Sequence, residues 1–168
     1  MKRRYFLGIA LGAVLTACGT PTSEPDATYY LVRHAEKTKA ETDPALTEVG
    51  AKRAQDLAMR LKGVPLTKIY SSDYIRTRDT AAPIAGEKNL DVVIYNPRDL
   101  EGVSKNLLTE TGHILVVGHS NTTPELSKLL GGDAGAPIIE ATEYDRLYIL
   151  KRYGSDVSGD IVRYGEKS

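Results

Sequence analysis

Cysteine, tryptophan and net charge are scarce or missing in this chain of 168 residues. It has one Cys and no Trp, and its 22 basic residues balance its 22 acidic residues. A single Cys excludes an internal disulfide and a zinc site built from several thiolates. A balanced charge gives no electrostatic case for nucleic acid as a partner. The three His have no carboxylates at ligand spacing, so the sequence predicts no metal, and nothing in it suggests a cofactor.

Long hydrophobic runs are also missing. A run of thirteen uncharged residues, 5–17, follows three basic residues at the start and precedes Cys18. Thirteen residues are too few to cross a bilayer, which takes about 20. A basic start followed by a short apolar run is typical of a secretory signal peptide. The rest of the chain has an ordinary globular composition and is long enough for one domain with its own core.

The apolar run ends in Leu15-Thr16-Ala17-Cys18, which resembles the lipobox of bacterial lipoproteins. The resemblance implies that residues 1–17 are removed and that Cys18 carries the lipid, including palmitate. Two or more acyl chains would anchor the protein stably to a membrane. A plain signal peptide with a chance Cys and a buried N-terminal helix are the alternatives.

Residues 18–27 follow as the lipidated Cys and a tether rich in Pro, Thr and acidic residues, and residues 28–168 form the predicted domain. Removal of the three basic residues of the signal peptide would leave a formal charge of −3 on the mature chain. Gly19 follows the Cys, where an Asp would be associated with retention in the inner membrane. We therefore expect an extracytoplasmic protein of the bacterial envelope, at the outer membrane or the cell surface.

The domain alternates between strand patterns and helix patterns. Apolar and β-branched runs predict strands at residues 28–32, 68–70, 91–95 and 113–117, and a late hairpin at residues 146–151 and 160–163. Helical periodicity covers residues 46–62, 74–87, 102–110 and 124–130. The alternation predicts a three-layer α/β/α sandwich with a mostly parallel sheet and the hairpin at one edge.

Two histidines directly follow the two clearest strands. Arg33-His34 comes after the first strand, and Gly118-His119 comes after the fourth. Ligands of open α/β sheets bind beyond the carboxyl ends of the strands, so both imidazoles are expected at the functional edge. His113 begins its strand and is predicted to be structural, at the opposite edge.

These residues and two further motifs strongly resemble the histidine phosphatase (phosphoglycerate mutase-like) superfamily. The motifs are Arg33-His34, the run LTEVG at residues 46–50, the run SSDYIRTRDT at residues 71–80, and Gly118-His119. Their order and spacing match that superfamily from about residue 28 to residue 151. The short chain is similar to its compact branch, which includes the phosphohistidine phosphatases.

The resemblance implies specific catalytic roles. His34 is the nucleophile that accepts the phosphoryl group, Arg33 and Arg76 clamp the phosphate, and His119 donates a hydrogen bond to the transferred group. A guanidinium suits that task because it is always charged and binds oxyanions through parallel N–H donors. Arg78, two residues on, is predicted to be a surface charge.

The sequence offers more than one candidate for the general acid. Part of the superfamily places an Asp directly after the second His, but Ser120 stands there in this chain. The other part places a Glu in the loop after the third strand. Glu101 is the best candidate for that role, and Asp99 is the next.

The sequence also departs from the mutase pattern. Ala35-Glu36-Lys37 replaces the usual Gly-x-Ser/Thr, and Ala40 stands where an Asn is expected. Lys37 or Asn121 could rebuild the missing contact with phosphate or substrate, and Lys37 could meet a second anionic group or face solvent. The loops of residues 37–45, 96–106 and 121–145 are expected to form the pocket walls, and the oligomeric state is not predicted.

The predicted function is a metal-independent phosphomonoesterase that forms a phosphohistidine, with a phosphorylated small molecule as substrate. One alternative is a phosphohistidine phosphatase or a mutase. The other is a binding lipoprotein that has kept the scaffold without catalysis.

Overall fold

The computed structural model describes residues 24–40 and 42–167. These residues form six strands and four helices in alternation. In chain order they are β1 (Ala27–Arg33), α1 (Glu48–Leu61), β2 (Leu66–Ser72), α2 (Ile75–Lys88), β3 (Val92–Tyr95), α3 (Leu100–Thr109), β4 (Gly112–Gly118), α4 (Thr122–Leu129), β5 (Arg146–Tyr153) and β6 (Asp156–Arg163).

The six strands form one sheet in the order β3-β2-β4-β1-β5-β6. β1 to β4 run parallel, while β5 and β6 are antiparallel at one edge. The predicted parallel sheet and its terminal hairpin are therefore confirmed. Because β1 and β4 are parallel neighbours with Arg33 opposite Gly118, the residues that follow both strands emerge side by side.

Each face of the sheet is covered by a pair of helices over its own apolar core. One core joins α1 and α2 to the sheet through residues such as Leu57, Ile84 and Val117. The other joins α3 and α4 to the opposite face through Leu107, Leu126 and Tyr148. Residues within β1 and β4 alternate between the two cores, which explains why these strands read as continuous apolar runs. The three-layer α/β/α sandwich is confirmed.

The domain starts slightly earlier than the sequence predicts. Ala27 is the first residue of β1 and is fully buried, although it was predicted to end the tether. Asp26 also belongs to the folded structure, because its carbonyl accepts a hydrogen bond from Gly112 and its carboxylate accepts one from Gly154. The signal peptide, Cys18 and the first part of the tether lie outside the described residues. No helix within residues 24–40 and 42–167 is long and apolar enough to cross a membrane.

Candidate active site

The carboxyl ends of β1 and β4 bring the two predicted histidines together. The backbone N–H of His34 donates to the carbonyl of Gly118 at 2.9 Å, which continues the pairing of the two strands by one residue. The centroids of the His34 and His119 rings lie 5.5 Å apart in an edge-to-face arrangement. His113 lies at the amino end of β4, where its Nδ1 is 3.3 Å from the Tyr30 hydroxyl, as a structural residue at the opposite edge would.

His34 is held as one tautomer. Its Nδ1 lies 2.8 Å from the carbonyl oxygen of Ala35, and since a carbonyl can only accept, Nδ1 carries the proton. The lone pair is therefore on Nε2. The pKa of His34 is lowered to about 3, mainly by burial and also by the nearby Arg33, His119 and Arg76, while the hydrogen bond to the Ala35 carbonyl acts in the opposite direction. The ring is thus neutral at neutral pH, which is the form that can act as a nucleophile.

His119 is oriented by a chain of buried hydroxyls. Its Nδ1 lies 3.4 Å from Nη2 of Arg76, which can only donate, so Nε2 carries the proton. Nε2 donates to Ser72 Oγ at 2.9 Å, and Ser72 Oγ donates to Thr77 Oγ1 at 3.1 Å. Burial lowers the pKa of His119 to about 4, with Arg76 and Arg33 adding to the effect. Ser72 and Thr77 are fully buried, so this chain fixes the plane of the ring.

Arg33 lies under the site and is almost completely buried. Nη1 donates to the carbonyl of Glu143 at 2.9 Å, and Nη2 donates to the carbonyl of Glu140 at 2.8 Å. Its Cζ stacks 4.0 Å from the centre of the Tyr144 ring. Its Nε is buried without a hydrogen-bond partner among the described residues.

Arg76 comes from the first turn of α2. Its Cζ lies 4.4 Å from the centre of the Tyr74 ring, and its Nη1 lies 3.6 Å from a carboxylate oxygen of Asp43. Its Nε is also buried without a partner in the described part of the chain. By contrast, Arg78 pairs with Asp73 on the surface, so the structure separates the two arginines as the sequence predicts.

Two unpaired guanidinium N–H groups beside two neutral imidazoles indicate a binding site for an oxyanion. A buried donor without an acceptor costs about 1–3 kcal/mol, and an oxyanion is the acceptor that would satisfy guanidinium donors best. We call Arg33, His34, Arg76 and His119 the inner cluster. It contains cations and neutral imidazoles, so it suits a phosphoryl group with charge on several oxygens.

The loop that carries His34 is fixed against α1 by the LTEVG motif. Thr47 caps α1 by accepting from the N–H of Gly50 at 3.0 Å. Gly50 lets the loop approach closely, because a Cβ there would lie 2.2 Å from the carbonyl oxygen of Glu36. The Glu36 carboxylate forms an ion pair with the buried Arg53, with 2.7 Å between Oε1 and Nη2. Glu36 is therefore a structural residue of the site, and its neighbour Lys37 is free to turn to the pocket.

A pocket of about 490 Å³ opens above the inner cluster. His34, Arg76 and His119 are among its lining residues, and Tyr74, Pro97, Ser120 and Thr122 also contribute. We call the other four lining residues the outer wall: Lys37, Arg98, Asn121 and Glu140. Each belongs to one of the three loops that the sequence predicts as walls. Lys37 and Asn121 are therefore at the pocket as predicted, while their binding roles stay predictions.

The structure does not bring Glu101 to the pocket. Glu101 is exposed in the first turn of α3 and is not among the lining residues, and Asp99 caps the same helix by accepting from Gly102 at 3.0 Å. α3 begins two residues earlier than predicted, and this places both residues on the helix rather than in a free loop. The carboxylate that lines the pocket is Glu140, which the sequence did not single out.

Sequence reasoning also missed Tyr144 and Asp43. Tyr144 is buried, with its ring centre 6.1 Å from that of His34. Asp43 accepts from the N–H of Ile75 at 3.0 Å at the start of α2. No motif marks either residue, because each lies in an irregular segment whose position depends on distant contacts. Among the described residues, no cluster of three or more His, Cys, Asp or Glu is suited to a metal.

The comparisons with known proteins agree with this geometry. Residues 29–97 match the model of the histidine phosphatase superfamily (branch 1). Over these residues the chain is similar in sequence to that superfamily. The match includes Arg33, His34 and Arg76, and ends before His119.

Curated relatives of the matched segment include probable phosphoglycerate mutases. The chain is 41% identical over 76 residues to the probable phosphoglycerate mutase GpmB of Proteus mirabilis, which is 41% of this chain and 35% of the relative. It is 38% identical over 71 residues to GpmB of Yersinia pestis, covering 38% and 33% respectively. The chain thus spans about a third of the length of the curated relatives it matches.

Solved structures extend the likeness to most of the fold. The protein histidine phosphatase SixA in complex with tungstate has a TM-score of 0.67 and 20% identity, covering 81% of this chain and 96% of that one. A phosphoserine phosphatase from Entamoeba histolytica, in complex with 3-phosphoglyceric acid, has a TM-score of 0.58 and 17% identity, covering 84% and 98%. At these identities the likeness shows that this chain shares the fold of these two proteins, and the fold alone.

Proposed function

We propose that this protein is a phosphomonoesterase that forms a phosphohistidine on His34. The observation that carries the proposal is the orientation of that imidazole. The bond from Nδ1 to the Ala35 carbonyl leaves the Nε2 lone pair for attack, and the lowered pKa of about 3 keeps the ring neutral at neutral pH. A neutral imidazole can attack phosphorus in line and give a covalent intermediate that water later hydrolyses.

The other members of the inner cluster stabilise the transferring group. Phosphoryl transfer depends mainly on positioning and on neutralising charge on three equatorial oxygens. The unpaired Nε groups of Arg33 and Arg76 are the donors available for those oxygens. His119, beside Arg76, supplies a further nitrogen on the same side.

Hydrolysis is favoured over return of the phosphoryl group to a second acceptor. Three of the four outer-wall residues, Arg98, Asn121 and Glu140, are exposed, so water has direct access to the pocket. Enzymes that must protect an intermediate from hydrolysis exclude water from the site.

A phosphohistidine phosphatase is the second candidate. It is favoured by the absence of Glu101 and Asp99 from the pocket lining, since an imidazole leaving group requires less help from a general acid than an alcohol. The similarity to SixA and to GpmB likewise keeps action on phosphohistidine, or mutase activity, as alternatives.

The central experiment is a substrate panel with trapping of the intermediate. The chain from residue 22 onward, which retains every described residue, is assayed against phosphomonoesters and a phosphohistidine peptide with EDTA present. We expect turnover of phosphomonoesters and acid-labile phosphate on His34 after rapid quenching. Phosphate found only on Ser120, or turnover of the peptide alone, would contradict the phosphomonoesterase proposal.

We further propose that the enzyme is tethered to the bacterial envelope through Cys18. The support is the lipobox resemblance of residues 15–18, which lie outside the described residues. Full-length protein should remain with membranes in high salt, because acyl chains bind through buried apolar area rather than charge. The Cys18→Ala variant should lose lipidation and ordinary processing. Wild-type protein that washes off in salt would contradict the tether.

A further inference from the structure

Glu140 is the one carboxylate among the described residues that line the pocket. It belongs to the irregular segment between α4 and β5, on the outer wall. Hydrolysis of an alkyl phosphate needs a group that protonates the leaving oxygen and later takes a proton from the attacking water. None of the inner cluster is placed to do both, since His34 is the nucleophile and the two guanidiniums do not release protons. Both ring nitrogens of His119 are already engaged, Nε2 with Ser72 and Nδ1 with Arg76.

The backbone around Glu140 is fixed to the catalytic centre. Arg33, which directly precedes His34, donates to the carbonyls of Glu140 and Glu143 at 2.8 and 2.9 Å. The carboxylate of Glu143 is itself held by the N–H of Ile139 at 2.9 Å and by Arg146 at 2.5 Å. The main chain is therefore anchored on both sides of Glu140. Its side chain is exposed and lines the pocket, so it is available to a substrate.

The charge on Glu140 reaches the inner cluster. Burial lowers the pKa of Arg33, and the carboxylates of Glu140 and Glu143 together with Tyr144 act in the opposite direction. Glu140 is thus close enough to Arg33 to interact with it electrostatically. Glu140 also lines the same pocket as His34, Arg76 and His119, so its side chain and a phosphoryl group on His34 would share that pocket.

The other nearby carboxylates are already engaged. Glu36 is paired with Arg53, Asp99 caps α3, and Asp43 accepts from Ile75. Glu101 lies on the exposed face of α3, outside the pocket lining. Resting on the proposed phosphomonoesterase function, we propose that Glu140 is the general acid and base of this enzyme.

The two steps balance as follows. In the first, Nε2 of His34 forms a bond to phosphorus, the bond from phosphorus to the ester oxygen breaks, and the protonated Glu140 gives its proton to that oxygen. In the second, the ionised Glu140 removes a proton from water as the water oxygen attacks phosphorus. The bond from phosphorus to Nε2 breaks and its electron pair returns to the imidazole. Phosphate leaves, and Glu140 is protonated again.

The test is the dependence of the rate on the leaving group. Full-length Glu140→Gln protein in detergent is compared with wild type on glycerol phosphate, a poor leaving group, and on 2,4-dinitrophenyl phosphate, which needs no proton. We expect kcat/KM to fall by at least about 100-fold on the first substrate and by less than about 5-fold on the second. Glu140→Asp should restore part of the loss, and Glu125→Gln, an exposed Glu of the neighbouring α4, should match wild type on both substrates.

A second readout follows the intermediate directly. With dinitrophenyl phosphate, Glu140→Gln should form the phosphohistidine normally and hydrolyse it slowly, so phosphate accumulates on His34 as a burst. Equal losses on both substrates without accumulation would overturn the proposal, and so would the leaving-group pattern in Glu101→Gln instead. If wild type itself forms no phosphohistidine, the proposed function fails; if it does and Glu140→Gln behaves as wild type, only the role of Glu140 fails.

Discussion

The inner cluster and the outer wall of this pocket are built in opposite ways. Arg33 and His34 of the inner cluster are 1% and 3% exposed, and each polar contact of the two histidines selects one tautomer. The outer wall consists largely of exposed charged and polar side chains from three loops. On the proposed function, the buried part fixes the chemistry, because hydrogen bonds hold its imidazoles in place. The exposed part would set which molecule is presented to that chemistry.

The largest effect is expected at the centre of the inner cluster. His34→Ala removes the nucleophile and should lower kcat by about a thousandfold or more, since His119, the other imidazole of the inner cluster, already donates from its Nε2 to Ser72. The fold should remain, because the pairing of β1 with β4 up to residue 34 is made by the backbone. Steady-state kinetics and circular dichroism check both points. His113→Ala, at the opposite edge, is the matched control and should keep its activity.

The next effect separates two arginines two residues apart. Arg76→Lys keeps the charge but loses the planar pair of donors, so kcat/KM should fall by about 2 kcal/mol, or roughly 30-fold. Arg78→Lys should be nearly silent, because Arg78 pairs with Asp73 outside the pocket. Equal losses of kcat/KM in the two variants would show that Arg76 does not bind the phosphoryl group.

The buried imidazoles also predict a pH dependence of stability. The folded-state pKa values of His34 and His119, about 3 and 4, lie below the ordinary value of 6.5. Their contribution to stability is therefore complete above pH 6.5 and is lost as the pH falls toward 4. At pH 4.5 the loss is on the order of 2 kcal/mol for His34.

Urea unfolding at pH 7 and at pH 4.5 measures this loss. The His34→Ala variant lacks the titrating ring, so its stability should fall less between the two pH values than that of wild type. Other groups titrate equally in both proteins and cancel in the difference. An identical fall in wild type and variant would mean that His34 titrates normally in the folded protein.

The smallest effect is expected on the outer wall. Lys37→Ala should raise KM a few-fold for phosphomonoesters that carry a second anionic group, and leave kcat nearly unchanged, since a charge that is partly open to solvent contributes about 1 kcal/mol. Phosphomonoesters without a second anion should show no change, which makes them the internal control. A fall in kcat on both classes of substrate would instead show that Lys37 acts on the transferred phosphoryl group.

The sequence predicts the inner cluster well because each member follows from a local pattern. His34 and His119 come after clear apolar strands, and Arg76 follows the buried Ser72 by four residues. β2 is longer than predicted, since Ser71 and Ser72 read as loop residues. Both are fully buried because their hydroxyls donate within the fold, Ser71 to a carbonyl and Ser72 to Thr77.

Glu140 could not be predicted in the same way. It lies in a segment without periodicity, and its place depends on hydrogen bonds from Arg33, which is 107 residues earlier in the chain. Glu101 was the better candidate by motif, yet the first turn of α3 takes it away from the pocket. Local sequence patterns therefore predict the catalytic candidates at the ends of strands. Which loop residue lies opposite them depends on long-range hydrogen bonds, such as that from Arg33 to the Glu140 carbonyl.

The hydrogen-bonded hydroxyls of Ser72 and Thr77 determine which nitrogen of His119 carries the proton. This has a consequence for the binding of a phosphate ester. Because Nε2 already donates to Ser72, the ring can give a hydrogen bond to a phosphoryl oxygen only from Nδ1. That nitrogen carries no proton where it accepts from Arg76. On the proposed function, a phosphoryl oxygen that accepts a hydrogen bond from His119 requires Nδ1 to gain a proton, either from the ester or from the solvent. We therefore expect the anion and a proton to be taken up together, so the affinity for phosphate esters should rise as the solution becomes mildly acidic.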